Sequence, residues 1–284
     1  GESQSQEIEV SCLSRDERFA RLSSRYPEFP KTRDDLWTFK IIDAQVALLQ
    51  INSFGLMGWK AMQLDYKQFL ADVFQELKTK AIPHLIIDIR KNTGGNDEMA
   101  DELFSYLSKS SFNYEREGRM RYLNFPENLK NFTQTWGNDP WYYNPQPEDR
   151  NPQNGYYIFK ENFSQSAQKS RKTRFQGKVY MLCSHANTSL AFYTAARFQM
   201  QQLGLLIGQE TGGNRNDING GQILFLRLPQ SKIEIDFPVM GGFSLQPQVD
   251  AGISPDIKVK YRIQDVIAGK DLEVEKVLEL IKKE

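Results

Sequence analysis

Residues 183–193 read Cys-Ser-His-Ala-Asn-Thr-Ser-Leu-Ala-Phe-Tyr and follow the apolar run Lys-Val-Tyr-Met-Leu. An apolar strand that passes through a polar turn into a helix delivers Ser189 to the helix start. A serine there can cap the helix, its oxygen accepting a backbone N–H. It can also act as a nucleophile, because the unpaired amides of the first helical turn can hold a developing oxyanion. The residues around Ser189 fit both uses. His185, one of only two histidines in the chain, precedes it by four residues. It becomes a base candidate if the turn brings its ring within roughly 3 Å of the hydroxyl, directly or through a water. A loop histidine bonded to backbone is the ordinary alternative.

Two further stretches have the composition of a reaction site. His-Leu-Ile-Ile-Asp-Ile-Arg-Lys-Asn-Thr-Gly-Gly, ending at Gly94 and Gly95, is an apolar strand that turns through paired glycines into a helix. Paired glycines let backbone amides approach a ligand closely, or they simply permit a tight turn. Leu-Ile-Gly-Gln-Glu-Thr-Gly-Gly, ending at Gly212 and Gly213, repeats that pattern soon after the Ser189 helix. Glu210 and Asp250 lie in or near such glycine-rich segments and are candidates for a third acid–base member. Exposed loop carboxylates would be the plainer explanation of both.

The elements that must position these residues are legible from periodicity. "AQVALLQINSF" reads as a strand, and "DYKQFLADVFQELKTK" as an amphipathic helix with Phe69, Leu70, Val73, Phe74 and Leu77 on one face. "HLIIDIR" is a continuous apolar run suited to the centre of a sheet covered on both faces. A helix, "DEMADELFSYLSK", follows the first Gly-Gly turn; "KVYMLCS" is a strand and "SLAFYTAARFQMQQLG" a helix ending at Gly204. "LLIGQETGG" is a short strand and turn, "GQILFLRLPQSKIEIDFPV" a β-hairpin around "PQS", and "LEVEKVLELIKK" an amphipathic C-terminal helix. Strands alternating with helices predict a layered α/β core. Residues 1–35 are polar and irregular, with one strand candidate, "IEVSCL". Residues 110–176 are rich in Tyr, Phe, Trp, Asn and Pro without clean periodicity. They read as a surface insertion with local aromatic packing, or as a lid or wall over a substrate.

The bulk properties exclude several classes of function. The chain has 284 residues, 39% of them hydrophobic, enough for a substantial core. Lys plus Arg number 36 and Asp plus Glu 36, so no net charge argues for nucleic acid or an anionic membrane. No apolar run approaches the roughly 20 residues of a membrane-spanning helix. Two cysteines, Cys12 and Cys183, and two distant histidines make neither a disulfide framework nor a metal site, and no cofactor is expected. The chain begins at Gly1 in a polar "GESQSQ", which reads as a processed or engineered start compatible with a removed signal peptide.

"DIRKNTGG", "HANTSLAFYTAARF", "GQETGG" and "GISPDIKV", in that order, resemble the C-terminal-processing and tricorn-core family of serine proteases. The resemblance covers about residues 37–284, and the aromatic-rich insertion departs from it. It implies a crotonase/ClpP-like layered ββα core with a C-terminal helix. Residues 1–36 are then an N-terminal segment, the end of an upstream domain in one reading, and 37–284 a protease-like core with insertion 110–176. Ser189 matches the family nucleophile, and Gly94 and Leu190 match the positions whose backbone N–H groups hold the oxyanion. In the processing branch a lysine base stands where this chain has Asn214, 25 positions after Ser189. An amide cannot accept the serine proton, so the Ser-Lys dyad is excluded in this form. In the tricorn branch the base is a histidine upstream of the "DIR" strand, and this chain has none before His84. Either an upstream segment supplies the base, which the start at Gly1 favours, or the chain is a degenerate relative. The expectation is an endopeptidase acting on peptides or protein tails through an acyl-enzyme at Ser189, with substrate extended along a sheet edge. The family points to an extracytoplasmic location: periplasmic, secreted or surface-anchored. The alternative is a non-catalytic module that binds a peptide or a small hydrophobic ligand. Nothing in the sequence specifies an oligomeric state.

Overall fold

The computed structural model describes residues 13–25, 36–110, 116–124, 126–135, 146–151, 155–159, 171 and 174–284. The chain divides into two compact units, Gly1–Asp34 and Asp35–Glu284. In the first, helix α1 (Arg15–Arg25) occupies a stretch whose composition predicts irregular chain. Its start is fixed reciprocally: the Ser14 amide donates to Glu17 Oε2 at 2.8 Å and the Glu17 amide to Ser14 Oγ at 3.2 Å. This Ser-x-x-Glu capping box was the available sequence signal. The strand candidate "IEVSCL" falls almost wholly outside the described residues.

The second unit is α/β, as the alternation predicts. Its elements are β1 (Thr38–Ile41), β2 (Val46–Gln50), α2 (Leu56–Ala61), α3 (Tyr66–Thr79), β3 (His84–Asp88), α4 (Asp97–Ser105), β4 (Arg116–Met120), β5 (Thr133–Gln134), β6 (Tyr157–Phe159), β7 (Lys178–Cys183), α5 (Ser189–Met200), β8 (Leu205–Gly208), β9 (Asp217–Arg227), β10 (Glu234–Ser244), β11 (Ile257–Lys258), α6 (Ile263–Ile267) and α7 (Leu272–Ile281). One sheet runs β1-β2-β3-β7-β8-β11; β1 is antiparallel to β2, and the remaining pairs are parallel.

Side chains alternate across a strand, so the apolar runs of this sheet feed two cores. Ala47, Leu49, Leu85, Ile87, Val179 and Met181 face the layer built by α3, α4 and α5. Val46, Leu48, Ile86, Tyr180 and Leu182 face Val277 and Ile281 of α7. β3 is buried at every position, as expected of a central parallel strand.

The described part of the insertion holds strands that its sequence does not predict. β4, β5 and β6, all within 110–176, join β9 and β10 in a second, antiparallel sheet of order β5-β9-β10-β4-β6. β4 escapes the sequence reading because its residues are Arg-Glu-Gly-Arg-Met, yet they alternate between buried and half-buried. Arg116 is buried, with its guanidinium 4.4 Å above the Tyr193 ring and bonded to the Gly242 carbonyl. A long amphipathic cation can thus occupy an inward strand position that hydrophobicity scoring passes over. The hairpin around "PQS" forms as β9 and β10, closed by a bond from the Leu228 amide to Ile233 O at 2.9 Å. α5 stops at Met200 rather than running to Gly204. Gln202 takes the left-handed backbone (φ 50°), while Gly204 allows a close approach: a Cβ there would lie 1.9 Å from Val179 O.

Ile87 is fully buried at the middle of this sheet. Ile87→Ala is expected to cost about 2–5 kcal/mol through lost burial and the cavity left behind. Urea unfolding should show a lowered midpoint with an unchanged slope.

Candidate active site

The site arises where two adjacent parallel strands end. β3 and β7 run in register to Asp88↔Leu182, and the Ile89 amide extends the pairing to Leu182 O at 3.1 Å. Each strand then turns into a helix, so the β3–α4 and β7–α5 turns lie side by side. Asn187, with no exposed surface, joins them. Its Nδ2 donates to Ile89 O at 2.5 Å and Asn92 O at 2.9 Å, and its Oδ1 accepts from the Ser184 amide at 2.7 Å. Thr188 Oγ1 adds a bond to Thr93 O at 3.1 Å.

Ser189 is the first residue of α5 and carries φ 48°, in the left-handed region that costs a non-glycine residue about 1–2 kcal/mol. It is half-buried, and among the described residues its Oγ has no hydrogen-bond partner. The capping role open to it in the sequence is therefore not adopted; Thr188 holds the N-cap position. Gly94 sits directly against it. With φ 121°, a Cβ at Gly94 would lie 2.8 Å from Ser189 Cβ and 3.1 Å from the Leu190 nitrogen. Only glycine satisfies both the backbone and the space. Gly95 is pressed against the other side, where a Cβ would be 2.3 Å from Phe54 O. The Phe54 amide donates to Gly94 O at 3.0 Å and the Asn96 amide to Phe54 O at 2.8 Å.

Ser189, Gly94 and Leu190 are thus brought together. The Leu190 amide belongs to the first helical turn, whose donors have no carbonyl within the helix to serve. The Gly94 amide is engaged: it donates to Asn92 Oδ1 at 2.8 Å, while Asn92 Nδ2 holds Ile51 O at 3.0 Å.

The remaining candidates are placed nearby in sequence terms but bonded elsewhere. The exposed His185 ring meets Gln209 Oε1 through Nδ1 at 2.6 Å. Glu210 Oε1 accepts from the Gly252 amide at 3.1 Å. Asp250 Oδ1 accepts from Asn214 Nδ2 at 2.5 Å. None bonds Ser189. His84 begins β3, roughly 13 Å along the strand from the end that carries the site, and approaches the Tyr180 hydroxyl at 3.4 Å. The "GQETGG" and "GISPD" segments also converge on the serine turn. The Gly212 amide donates to Asn187 O at 3.0 Å, and the Ile253 amide to Thr211 Oγ1 at 2.8 Å. Among the described residues no group of His, Cys, Asp and Glu could hold a metal ion. Cys183 is buried against Gln209 O, and burial pushes its thiol up to about 12, so it stays protonated near neutral pH.

Sequence reasoning did not single out Asn187, Asn92 or Arg90, although all three lie inside the quoted motifs. The signal was their place in turns beside a strand end, where a polar side chain must serve backbone groups. Arg90 bonds Asp88 through Nε (3.0 Å) and one terminal nitrogen (2.8 Å). It bonds Asp271 at 2.7 and 2.8 Å and Glu273 at 2.9 Å. Burial alone would lower the guanidinium pKa, but the bonds to Asp88 and Asp271 raise it well above its usual value. Burial likewise opposes ionisation of Asp271, and Arg90 outweighs it, holding this carboxyl below the usual carboxylate range.

A strained serine at a helix start thus lies beside a glycine turn on the neighbouring parallel strand of an α/β sheet. The model of peptidase family S41 matches residues 45–259, and the chain belongs to that family. No curated protein matches the chain. Among solved structures it is similar to a candidate peptidase from Parabacteroides merdae, at 17% identity and TM-score 0.52, over 92% of this chain and 69% of that one. It is also similar to mature CPAF complexed with lactacystin, at 15% identity and TM-score 0.54, over 84% of this chain and 51% of that one. At these identities the likeness is one of fold, and the chain spans about half the length of CPAF.

Two outcomes follow from this geometry. Asn187→Ala strands the buried Asn92 carbonyl and the Ser184 amide, while Ile89 O keeps the Asn92 amide; at about 1–3 kcal/mol for an unsatisfied buried group the urea midpoint should fall measurably. Asp271 contributes stability that is complete above its unfolded pKa of about 3.9 and is lost as pH falls through its lower folded value. Asp271→Asn should therefore be less stable than the parent at pH 6, with the difference between their midpoints shrinking towards pH 3. A difference independent of pH would contradict the assignment.

Proposed function

We propose that the chain is the catalytic core of a serine endopeptidase, cleaving peptides or the tails of proteins through an acyl-enzyme on Ser189. The observation that carries this reading is the Ser189 hydroxyl itself. Among the described residues it has no hydrogen-bond partner, and it stands on a strained backbone at the head of a helix, against Gly94. In the reaction Ser189 Oγ attacks the scissile carbonyl carbon and passes its proton to a base. The base returns that proton to the leaving amine, and water then cleaves the acyl ester. The Leu190 amide faces the oxyanion; the Gly94 amide joins it by exchanging Asn92 Oδ1 for the substrate oxygen. Asn214 cannot act as base, and the bonds that His185, Glu210 and Asp250 make go to Gln209, the Gly252 amide and Asn214 rather than to Ser189. A segment upstream of this chain is therefore proposed to supply the base. The core is proposed to be crotonase-like, the substrate to lie extended along a sheet edge, and the protein to work outside the cytoplasm. Among the described residues no helix is long and apolar enough to cross a membrane.

The competing reading is a degenerate module that binds a peptide or small hydrophobic ligand, and the engaged Gly94 amide favours it. A fluorophosphonate probe separates the two. Labelling of the protein carrying its upstream segment, lost in Ser189→Ala, is the expected result. Absence of labelling in that protein would leave only the binding module.

A further inference from the structure

We propose that Arg90 is a positioning residue for the Ser189 turn, and that the start of α7 holds it there. The guanidinium has five N–H donors, and every one is used. Nε serves Asp88, one terminal nitrogen serves Asp88 and Asp271, and the other serves Asp271 and Glu273. The Asp271 contact is two-pronged, the geometry that leaves a planar fork least freedom. Glu273 is buried and also accepts from the Tyr261 hydroxyl, whose oxygen takes the Leu272 amide at 3.0 Å. The start of α7 and the side chain of Arg90 are thus one bonded unit.

The main chain of the same residue holds the nucleophile turn. Arg90 O accepts from Ser184 Oγ at 2.6 Å, and that oxygen accepts from the Ala186 amide at 3.1 Å. The Ser184 amide reaches Asn187 Oδ1, and Asn187 grips Ile89 O and Asn92 O on either side of Arg90. Downstream the chain passes through Asn92 directly to Gly94. Shifting the guanidinium moves a backbone segment bonded to both halves of the site. α7 itself packs on the opposite face of the sheet from α4 and α5, through Val277 and Ile281. Its reach to the site described here passes through Arg90.

The catalytic half of this proposal rests on Ser189 being the nucleophile; the structural half does not. Two variants, made in the protein that carries the upstream segment, separate positioning from simple stability. Asp271→Asn with Glu273→Gln removes the two α7 charges that hold Arg90, leaves Asp88 in place, and keeps an N-cap residue on α7, since Asn caps as well as Asp. Val277→Ala loosens α7 on its core face without touching Arg90. In the double variant, amide hydrogen exchange in residues 90–95 and 183–190 should accelerate about tenfold or more, as local opening becomes easier. In Val277→Ala the acceleration should stay within α7. Fluorophosphonate labelling of Ser189 should slow about tenfold or more in the double variant, because small displacements of reacting groups are costly. It should stay near the parent rate in Val277→Ala. Unchanged exchange at both turns in the double variant, or the same pattern in both variants, overturns the proposal. If the parent is not labelled at all, the nucleophile reading fails by itself, and the exchange comparison still decides whether Arg90 couples α7 to the turns.

Discussion

The Asn187 carboxamide is the constraint on which the site depends. It is fully buried, so its two donors and its acceptor must be met by protein. They are met only if the β3–α4 and β7–α5 turns lie against each other, because Ile89 O and Asn92 O belong to one turn and the Ser184 amide to the other. A misplacement of either turn strands buried polar groups, each at a cost of about 1–3 kcal/mol. That penalty makes the approach of Gly94 to Ser189 a stable feature of the fold.

The parallel sheet supplies the frame for that contact. Parallel strands end at the same edge, so the turns that follow β3 and β7 are neighbours before any side chain acts. The edge is stiff because both faces of the strands are buried, one against α3, α4 and α5 and the other against α7. The strain in Ser189 is a small local cost set against burial of a whole sheet. Such strain is held only where the surroundings over-determine the backbone. Here Thr188, Asn187 and Gly94 do so.

Electrostatics enters at one strand end. Arg90 gathers Asp88, Asp271 and Glu273, so three carboxylates are held by one guanidinium fork. Ion pairs this well bonded are specific in direction, and they tie a helix from one face of the sheet to a turn that serves the other. The state of the Gly94 amide is a second consequence of buried bonding. Asn92 is buried with its Nδ2 anchored on Ile51 O, so its Oδ1 stands where the Gly94 amide can reach it. The amide is satisfied in the absence of substrate, as a buried donor must be.

The sequence by itself determined the strands and helices whose apolar periods are clean: β2, β3, β7, β8, α3, α4, α5 and α7. It also showed which residues had chemistry to offer, because Ser189 before a helix and Gly94-Gly95 after a buried strand are local patterns. α1 was legible too, in Ser14 and Glu17, but its polar composition hid it. β4 was not, since inward Arg116 reads as a surface residue until Tyr193 and the Gly242 carbonyl are found around it. Tertiary structure alone decided what each group does next. Whether Ser189 caps its helix, whether His185 faces it, and whether the Gly94 amide is free depend on short-range bonds to groups that local periodicity does not bring close. His185 turns to Gln209, Asn92 to Ile51 and Asn187 to Ile89. Hydrogen bonds decay within a few tenths of an ångström and a few tens of degrees. Only the folded chain sets distances that finely.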